Sequence, residues 1–201
     1  QMPILQNSIR CGRLGVPTTG TLFASEVLIH GLGGIGTQLA LRLKNFGCGA
    51  IRAITRTGSV ASKDKVNTKT QDDVAIEKMI EEGDLIVGAP EDFPRFAATT
   101  NIVFLCLTQN PDTIEIVNEE YIRALSVGAI IVNVSRGGIV NYDDVVKCLD
   151  DGQLGGFGAD VFKHEPFPHS PNPTYDDHGI EEVDPLWLKY KAFLEHEKVI
   201  T

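Results

Sequence analysis

A glycine-rich segment near the start of the chain has the spacing of a phosphate-binding turn. It follows an apolar run at residues 26–30, precedes an amphipathic stretch at residues 37–46, and reads Gly31-Leu32-Gly33-Gly34-Ile35-Gly36. Between a strand and a helix, Gly31 would permit a tight turn, Gly33 would admit a pyrophosphate, and Gly36 would let the helix pack on the strand. The free amides at the helix start would favour negative phosphates. The segment therefore predicts dinucleotide binding by Gly31, Gly33, Gly34, Ile35 and Gly36, the alternative being a tight glycine turn without a ligand.

The rest of the chain alternates between short apolar runs and helical patterns. We predict strands at residues 26–30, 50–55, 85–87, 101–107, 129–134 and 156–161. We predict helices at residues 1–12, 37–46, 74–82, 119–126 and 142–151, and caps for the last two at Asn118 and Asn141. Strands joined by crossover helices predict an α/β fold of the Rossmann type, a doubly wound parallel sheet with helices on both faces.

Composition and charge limit the classes of partner. The 201 residues are 42% hydrophobic and 22% charged, enough for one substantial core. Formal net charge is −9 without a long basic run, which opposes nucleic acid and anionic membranes as general partners. We find neither a membrane-spanning stretch nor a signal-peptide pattern, and we expect a cytoplasmic or organellar protein. Scattered cysteines without a Cys-x-x-Cys pair predict reduced thiols and no metal site: Cys11, Cys48, Cys106 and Cys148.

Polar residues follow several of the predicted strands. In an open α/β sheet, ligands bind beyond the carboxyl ends of the strands. The positions to consider are the end of the second strand, Thr108, residues 135–138 and residues 160–166. We therefore expect these groups to surround one ligand site together with the glycine turn.

Three of these segments carry a family resemblance. They are Ile102-Val103-Phe104-Leu105-Cys106-Leu107-Thr108, Ile131-Val132-Asn133-Val134-Ser135-Arg136-Gly137-Gly138, and Gly158-Ala159-Asp160-Val161-Phe162 with Glu165-Pro166. In this order they resemble the nucleotide-binding domain of the D-isomer-specific 2-hydroxyacid dehydrogenases, from about residue 13 onward. The resemblance implies an oxidoreductase that reduces a small 2-oxo acid, such as glyoxylate or hydroxypyruvate, to a D-2-hydroxy acid. It divides the chain into a linking helix and loop, 1–20, and an NAD(P)-binding domain, 21–201.

The resemblance also implies roles for individual residues. Arg136 matches the substrate-binding arginine, whose planar fork suits a carboxylate; a surface arginine beside a helix is the alternative. Glu165 matches the partner of the catalytic histidine and would raise its pKa; a solvated loop glutamate is the alternative. Asp160 matches the aspartate that contacts the nicotinamide carboxamide, or it caps a strand end. Thr108 and Val134 match positions that line the cofactor, although Thr108 could instead start a turn before Asn110-Pro111.

The family's catalytic histidine belongs to a Thr-Pro-His element that follows an apolar strand. Residues 198–201 match the beginning of that element, so we expect the histidine to lie outside this chain. Only the linking helix precedes Arg13, so we expect most of the family's substrate domain to lie outside it as well and the piece to be inactive alone. Other histidines miss the motif position and are expected to be loop or surface residues: His164, His169, His178 and His196. Pro- and Asp-rich segments at residues 90–100 and 163–190 depart from the family and predict loop extensions.

The end of the second strand bears on the choice of cofactor. An NAD site normally has an acidic residue about 20 residues past the glycines, where it binds the ribose hydroxyls. Arg56 stands there instead, with Thr57 and Ser59 as hydroxyl donors and Lys63 as a further charge. We predict NADP as the preferred cofactor and NAD as the second choice. The alternative is that Arg56 stacks on the adenine or points into water.

Two other hypotheses stay open for the function. The chain could be a non-catalytic regulator that binds dinucleotide and uses the fold as an interaction surface. It could also be a naturally shortened product without activity. A Pro-His after Thr201 in the full-length protein would favour the dehydrogenase over the regulator. By analogy with relatives of the family, we expect a homodimer.

Overall fold

Seven parallel strands form the central sheet of the protein. The computed structural model describes residues 10–11, 21–60, 70–163, 174–175, 181–182 and 193–200. The sheet has the order β3-β2-β1-β4-β5-β6-β9. Its strands are β1 (Glu26–His30), β2 (Ala50–Ile54), β3 (Ile86–Gly88), β4 (Ile102–Leu105), β5 (Ala129–Asn133), β6 (Leu154–Ala159) and β9 (Val199–Ile200). A separate antiparallel pair consists of β7 (Thr174–Tyr175) and β8 (Glu181–Glu182).

Helices connect the strands and pack on both faces of the sheet. They are α1 (Gly34–Leu43), α2 (Gln71–Glu81), α3 (Phe93–Ala97), α4 (Glu119–Arg123) and α5 (Tyr142–Asp150). Short 3-10 turns cover Lys44–Phe46, Pro90–Asp92 and Gly137–Ile139. The order of the strands reverses between β1 and β4, which places a topological switch point and its crevice at their carboxyl ends.

The core lies in two layers, one on each side of the sheet. Within β1, Val27 and Ile29 belong to the layer covered by α1 and α2. Leu28 between them belongs to the layer covered by α3, α4 and α5. Because the strand is buried on both faces, its sequence is continuously apolar rather than alternating. The predicted Rossmann-type sheet is therefore confirmed.

Side-chain caps begin three of the helices. The side chain of Asn118 accepts from the amide of Tyr121 at 3.0 Å, and that of Asn141 accepts from the amide of Asp144 at 3.2 Å. Both caps are as predicted. Thr70 begins α2 in a reciprocal capping box with Asp73, which moves the start of this helix ahead of its predicted position at Val74.

The prediction of a loop extension at residues 90–100 is wrong. This segment is a 3-10 turn followed by α3, and it forms the crossover between β3 and β4. Pro90 and Pro94 lie in the first turns of these elements, where proline is compatible with a helix. Phe96 is only 1% exposed and belongs to the core. The helix predicted at residues 1–12 and most of the 163–190 segment lie outside the described residues.

Candidate functional site

The glycine turn lies at the switch point of the sheet, between β1 and α1. Gly31 has φ of +102°, and its amide donates to the carbonyl oxygen of Ile54 at 2.9 Å. A Cβ on Gly31 would lie 2.6 Å from the carbonyl oxygen of Cys106, just past β4. A Cβ on Gly36 would overlap the carbonyl oxygen of Gly31. Only glycine fits at these two positions, because the turn, the helix and the end of β4 approach one another by their backbones.

The first turn of α1 opens away from the protein. Gly33 is the N-cap and offers no side-chain cap, and the first turn contains no acidic residue. A Cβ on Gly33 or Gly34 would have no neighbouring atom within 4 Å, and Ile35 is 57% exposed. Packing among the described residues therefore does not require glycine at positions 33 and 34. The space above them can receive a group that approaches the helix amides.

The end of β2 presents two exposed polar residues, Arg56 and Thr57. The hydroxyls of Thr57 and Ser59 lie 3.0 Å apart, and the hydroxyl of Thr55 donates to the carbonyl oxygen of Ser59 at 3.0 Å. Gly58 has φ of +66° and completes this turn. Arg56 has no hydrogen-bond or charge partner among the described residues. Its guanidinium is thus available beside β1, on the side of the crevice next to the glycine turn.

The loop after β4 leaves Thr108 exposed. The turn that follows is held by two other side chains: Thr113, whose hydroxyl donates to the carbonyl oxygen of Thr108 at 2.8 Å, and Asn110, which accepts from the amide of Asp112 at 2.9 Å. Thr108 contributes its carbonyl oxygen to this turn. Its hydroxyl makes no hydrogen bond within the described part of the chain.

The loop after β5 carries Arg136 at its surface. The side chain of Asn133 is fully buried, donates to the carbonyl oxygen of Arg136 at 3.0 Å, and accepts from the amide and hydroxyl of Ser135, both at 3.1 Å. Arg136 itself is exposed, and its Nη1 donates to the carbonyl oxygen of Ser135 at 2.6 Å. Val134, the first residue of this loop, is half-buried.

The loop after β6 packs against the arginine loop. The amide of Asp160 donates to the carbonyl oxygen of Asn133 at 3.0 Å, while its exposed carboxylate has no partner among the described residues. A Cβ on Gly137 would overlap the backbone of Phe162. An ion pair joins Lys163 to Glu115, whose amide donates to Gly138. The loops that follow β4, β5 and β6 are therefore tied together at one edge.

A buried histidine under the glycine turn was not predicted from the sequence. His30 ends β1, and its Nδ1 lies 3.0 Å from the hydroxyl oxygen of Tyr121. Its ring stacks on Phe93 and Tyr121, and burial lowers its pKa to about 4. Burial also raises the pKa of the nearby Cys106 thiol to about 11. Both groups are uncharged at neutral pH, so the polarity of the crevice comes from the exposed residues of the loops. The signal in the sequence that could have revealed this buried group is a histidine at the end of an apolar strand.

Several predicted residues fall outside the described part of the chain. Glu165 is among them, and no contact can be assigned to it; the others are Lys63, His164, His169, His178 and Thr201. His196 is described and pairs with Asp150 at 3.3 Å, away from the crevice residues. Among the described residues, no group of three metal-ligating side chains is found, and no helix is long and apolar enough to cross a membrane.

The predicted residues that are described meet at the carboxyl edge of the sheet. The glycine turn follows β1, Arg56 and Thr57 follow β2, and Thr108 follows β4. Val134 and Arg136 follow β5, and Asp160 follows β6. The carboxyl edge of the sheet therefore carries backbone amides, hydroxyls and two arginines in the loops that follow its strands.

Comparison with known proteins shows which family the chain resembles. Residues 88–180 match the family model of the D-isomer specific 2-hydroxyacid dehydrogenase NAD binding domain. The chain is 32% identical over 141 residues to glyoxylate/hydroxypyruvate reductase HPR3 of Arabidopsis thaliana, which covers 70% of the chain and 36% of that protein. It is 31% identical over 147 residues to the glyoxylate reductase/hydroxypyruvate reductase of Homo sapiens, covering 73% of the chain and 39% of that protein.

A solved structure matches the whole chain in fold. It is the D-isomer specific 2-hydroxyacid dehydrogenase of Xanthobacter autotrophicus Py2 in complex with NADPH and MES, at 23% identity and a TM-score of 0.66. It covers 100% of the chain, which spans 50% of that protein. The match to the family model takes in the Asn133–Arg136 loop and Asp160. Together with the two reductases, it establishes that the chain belongs to the D-isomer-specific 2-hydroxyacid dehydrogenase family.

Proposed function

We propose that the chain binds a nicotinamide dinucleotide across the carboxyl edge of the sheet. The observation that carries this proposal is the open space over Gly33 and Gly34, at a helix start whose amides face it. The pyrophosphate would lie against these amides, and Ile35 would cover its edge. Thr108, Val134 and Asp160 would line the nicotinamide half, because they end the strands on that side of the switch point.

The preferred cofactor in this proposal is NADP, with NAD as the second choice. Arg56 supports it, since this exposed guanidinium has no partner among the described residues and Thr57 adds a hydroxyl beside it. A 2′-phosphate is a dianion that an arginine fork receives well, whereas the ribose hydroxyls of NAD gain little from a cation. The matching Xanthobacter autotrophicus Py2 structure is itself a complex with NADPH.

The reaction we propose is reduction of a small 2-oxo acid of the glyoxylate or hydroxypyruvate type to a D-2-hydroxy acid. When bound, the reduced cofactor supplies the hydride. Arg136 holds the carboxylate of the acid and directs positive charge at the carbonyl oxygen, where negative charge develops. Glu165 is proposed as the partner of the histidine that protonates this oxygen. The names of the two reductases support this substrate class. The homodimer and the cytoplasmic location stay predictions.

Two measurements test the proposal. Titration of the chain with NADPH and with NADH, followed by calorimetry, is expected to give binding of both and tighter binding of NADPH. The full-length protein is expected to oxidise NADPH with glyoxylate or hydroxypyruvate. Binding without turnover of any 2-oxo acid would favour a dinucleotide-binding regulator, and absence of binding would reject the cofactor site.

A further inference from the structure

The buried side chain of Asn133 holds the loop that carries Arg136. Its amide is fully buried at the end of β5, where an unpaired polar group would be costly. It uses its donor and its acceptor at once: Nδ2 donates to the carbonyl oxygen of Arg136, and Oδ1 accepts twice from Ser135. These contacts run to Ser135 and Arg136 in the loop that follows β5, and none of them joins two strands of the sheet.

The same loop is confined from its other sides. Gly137 touches the backbone of Phe162 so closely that no side chain fits, and Gly138 packs under the side chain of Gln109. Within residues 133–140, Arg136 is the single exposed residue. The chain therefore presents one guanidinium to the crevice from a loop whose other residues are buried or half-buried, and Asn133 hydrogen bonds the peptide carbonyl of Arg136.

Asn133 also connects this loop to the neighbouring strand. Its carbonyl oxygen accepts from the amide of Asp160 at 3.0 Å. The backbone of Asp160 and the peptide of Arg136 are thus both hydrogen bonded to one residue. The distance between a carboxylate bound at Arg136 and a nicotinamide held near Asp160 depends on the position of Asn133.

We infer that Asn133 is a positioning residue for capture of the 2-oxo acid, acting through Arg136. This inference rests on the proposed function, in which Arg136 binds the substrate carboxylate. The side chain must be an amide, because the position needs a donor toward Arg136 and an acceptor toward Ser135. Both groups must lie at the end of one short side chain. Aspartate lacks the donor and would bring a carboxylate against a carbonyl oxygen in a buried place.

The test compares Asn133→Asp with Arg136→Ala and with the double variant in the full-length protein. We expect kcat/KM for glyoxylate to fall roughly 10- to 100-fold in Asn133→Asp, the cost of an unsatisfied buried group, while the Kd for NADPH changes less than about twofold. In the Arg136→Ala background the same change should have no further effect, since it acts through the arginine. Equal losses of NADPH affinity and of kcat/KM in Asn133→Asp would overturn the inference. So would a double variant whose loss of kcat/KM is the product of the losses in the two single variants.

Two further variants keep the test decisive. Asn133→Ser is too short to reach Arg136 and introduces no buried charge, so it replaces Asn133→Asp if that variant does not fold, with the same expected result. Thr100→Val removes a buried hydrogen bond of 2.8 Å to the carbonyl oxygen of Phe96, at the opposite edge of the sheet. It should lower stability and leave kcat/KM unchanged; an equal loss of kcat/KM in this control would assign the Asn133 effect to general destabilisation.

Failure of the proposed function gives a different result. If the wild-type protein reduces no 2-oxo acid, the proposed function is rejected, and the inference is then decided by binding of oxalate to the NADPH complex, compared among the same variants. Turnover that survives Arg136→Ala would overturn the inference and leave the reductase intact. Absence of both turnover and oxalate binding in the wild type would overturn both.

Discussion

The imidazole of His30 and the phenol of Tyr121 are hydrogen bonded at 3.0 Å and lie almost parallel, with their ring centroids 5.7 Å apart. Phe93 stacks against both rings, at 5.9 Å from His30 and 4.3 Å from Tyr121. These residues come from β1, α4 and α3. The stack therefore joins two helices of one layer to the strand that leads into the glycine turn.

His30 makes the stability of the fold sensitive to acid. Burial lowers its pKa from 6.5 to about 4, so between these values the unfolded chain binds a proton that the folded chain does not. The contribution of the uncharged imidazole to the free energy of unfolding is complete above pH 6.5 and is lost as the pH falls toward 4. From pH 7 to pH 5 we expect His30 to account for a loss of about 2 kcal/mol in the free energy of unfolding.

Urea unfolding of His30→Gln at the two pH values measures this loss. The variant should be less stable at pH 7 but should lose about 2 kcal/mol less than the wild type on going to pH 5. His196→Gln changes a histidine outside this stack and serves as the control. An unchanged pH dependence in His30→Gln would show that the buried imidazole does not cause the acid sensitivity.

Gly36 and Gly33 should separate folding from binding. A methyl group on Gly36 overlaps the backbone of Gly31, so Gly36→Ala should lower the melting temperature strongly or prevent folding. A methyl group on Gly33 meets no protein atom, so Gly33→Ala should fold normally and weaken NADPH binding about 10-fold. Thermal unfolding and calorimetric titration check both. Full NADPH affinity in Gly33→Ala would place the pyrophosphate elsewhere.

Arg56 should decide between the two cofactors. Replacing it by Asp puts an acceptor for ribose hydroxyls where the cation stands and would repel a 2′-phosphate. We expect the Kd for NADPH to rise about 10-fold or more and the Kd for NADH to stay equal or fall. Fluorescence titration of the wild type and of Arg56→Asp with NADPH and with NADH gives the four dissociation constants. Identical changes for NADH and NADPH would remove Arg56 from the phosphate site.

Arg136 should be needed for turnover but not for cofactor binding. Lysine keeps the charge and lacks the planar fork that pairs with a carboxylate. We expect Arg136→Lys to lower kcat/KM for glyoxylate roughly 100-fold in the full-length protein, with an unchanged Kd for NADPH. Steady-state NADPH oxidation measures the first quantity and titration the second. Wild-type turnover in this variant would exclude Arg136 as the carboxylate ligand.

Phe96 tests the assignment of residues 90–100 to the core. It is buried in the core layer that also contains Leu28, with the guanidinium of Arg95 4.4 Å above its ring. Phe96→Ala should cost about 3–5 kcal/mol of unfolding free energy. Phe46 is 56% exposed, and the matched Phe46→Ala should cost less than about 1 kcal/mol. Equal urea midpoints for the two variants would argue for an exposed loop.

Local patterns predicted most of the fold. Each of the first six sheet strands lies within two residues of its predicted bounds, because runs buried on both faces have continuous apolar sequences. The segment around Phe96 was misassigned because prolines suggest loops until their position in a first helical turn is known. Helix α1 begins at Gly34, three residues before its predicted start, since glycine has a poor helix propensity.

The site was predictable only where a residue follows a strand directly. Arg136 and Asp160 could be placed at the same edge because parallel strands end together. The role of His30 was hidden because its partner, the phenol of Tyr121, is far away in the chain. The role of Asn133 was hidden because its side chain bonds backbone groups of Ser135 and Arg136, which a pattern of residue types does not show. Hydrophobic periodicity predicts which residues are buried, but it does not predict the hydrogen-bond partners of the buried polar groups.

Strand β9 adds two residues to the outer side of β6, and the amide of Phe157 donates to the carbonyl oxygen of Lys198 at 3.0 Å. Strand β6 is rich in glycine, so few side chains shield its backbone on that side. Without β9, its amides and carbonyls would offer a template for any extended peptide, including the same strand of another molecule. Strand β9 thus covers the backbone edge of β6, and we expect variants that detach it to be poorly soluble even with the crevice intact.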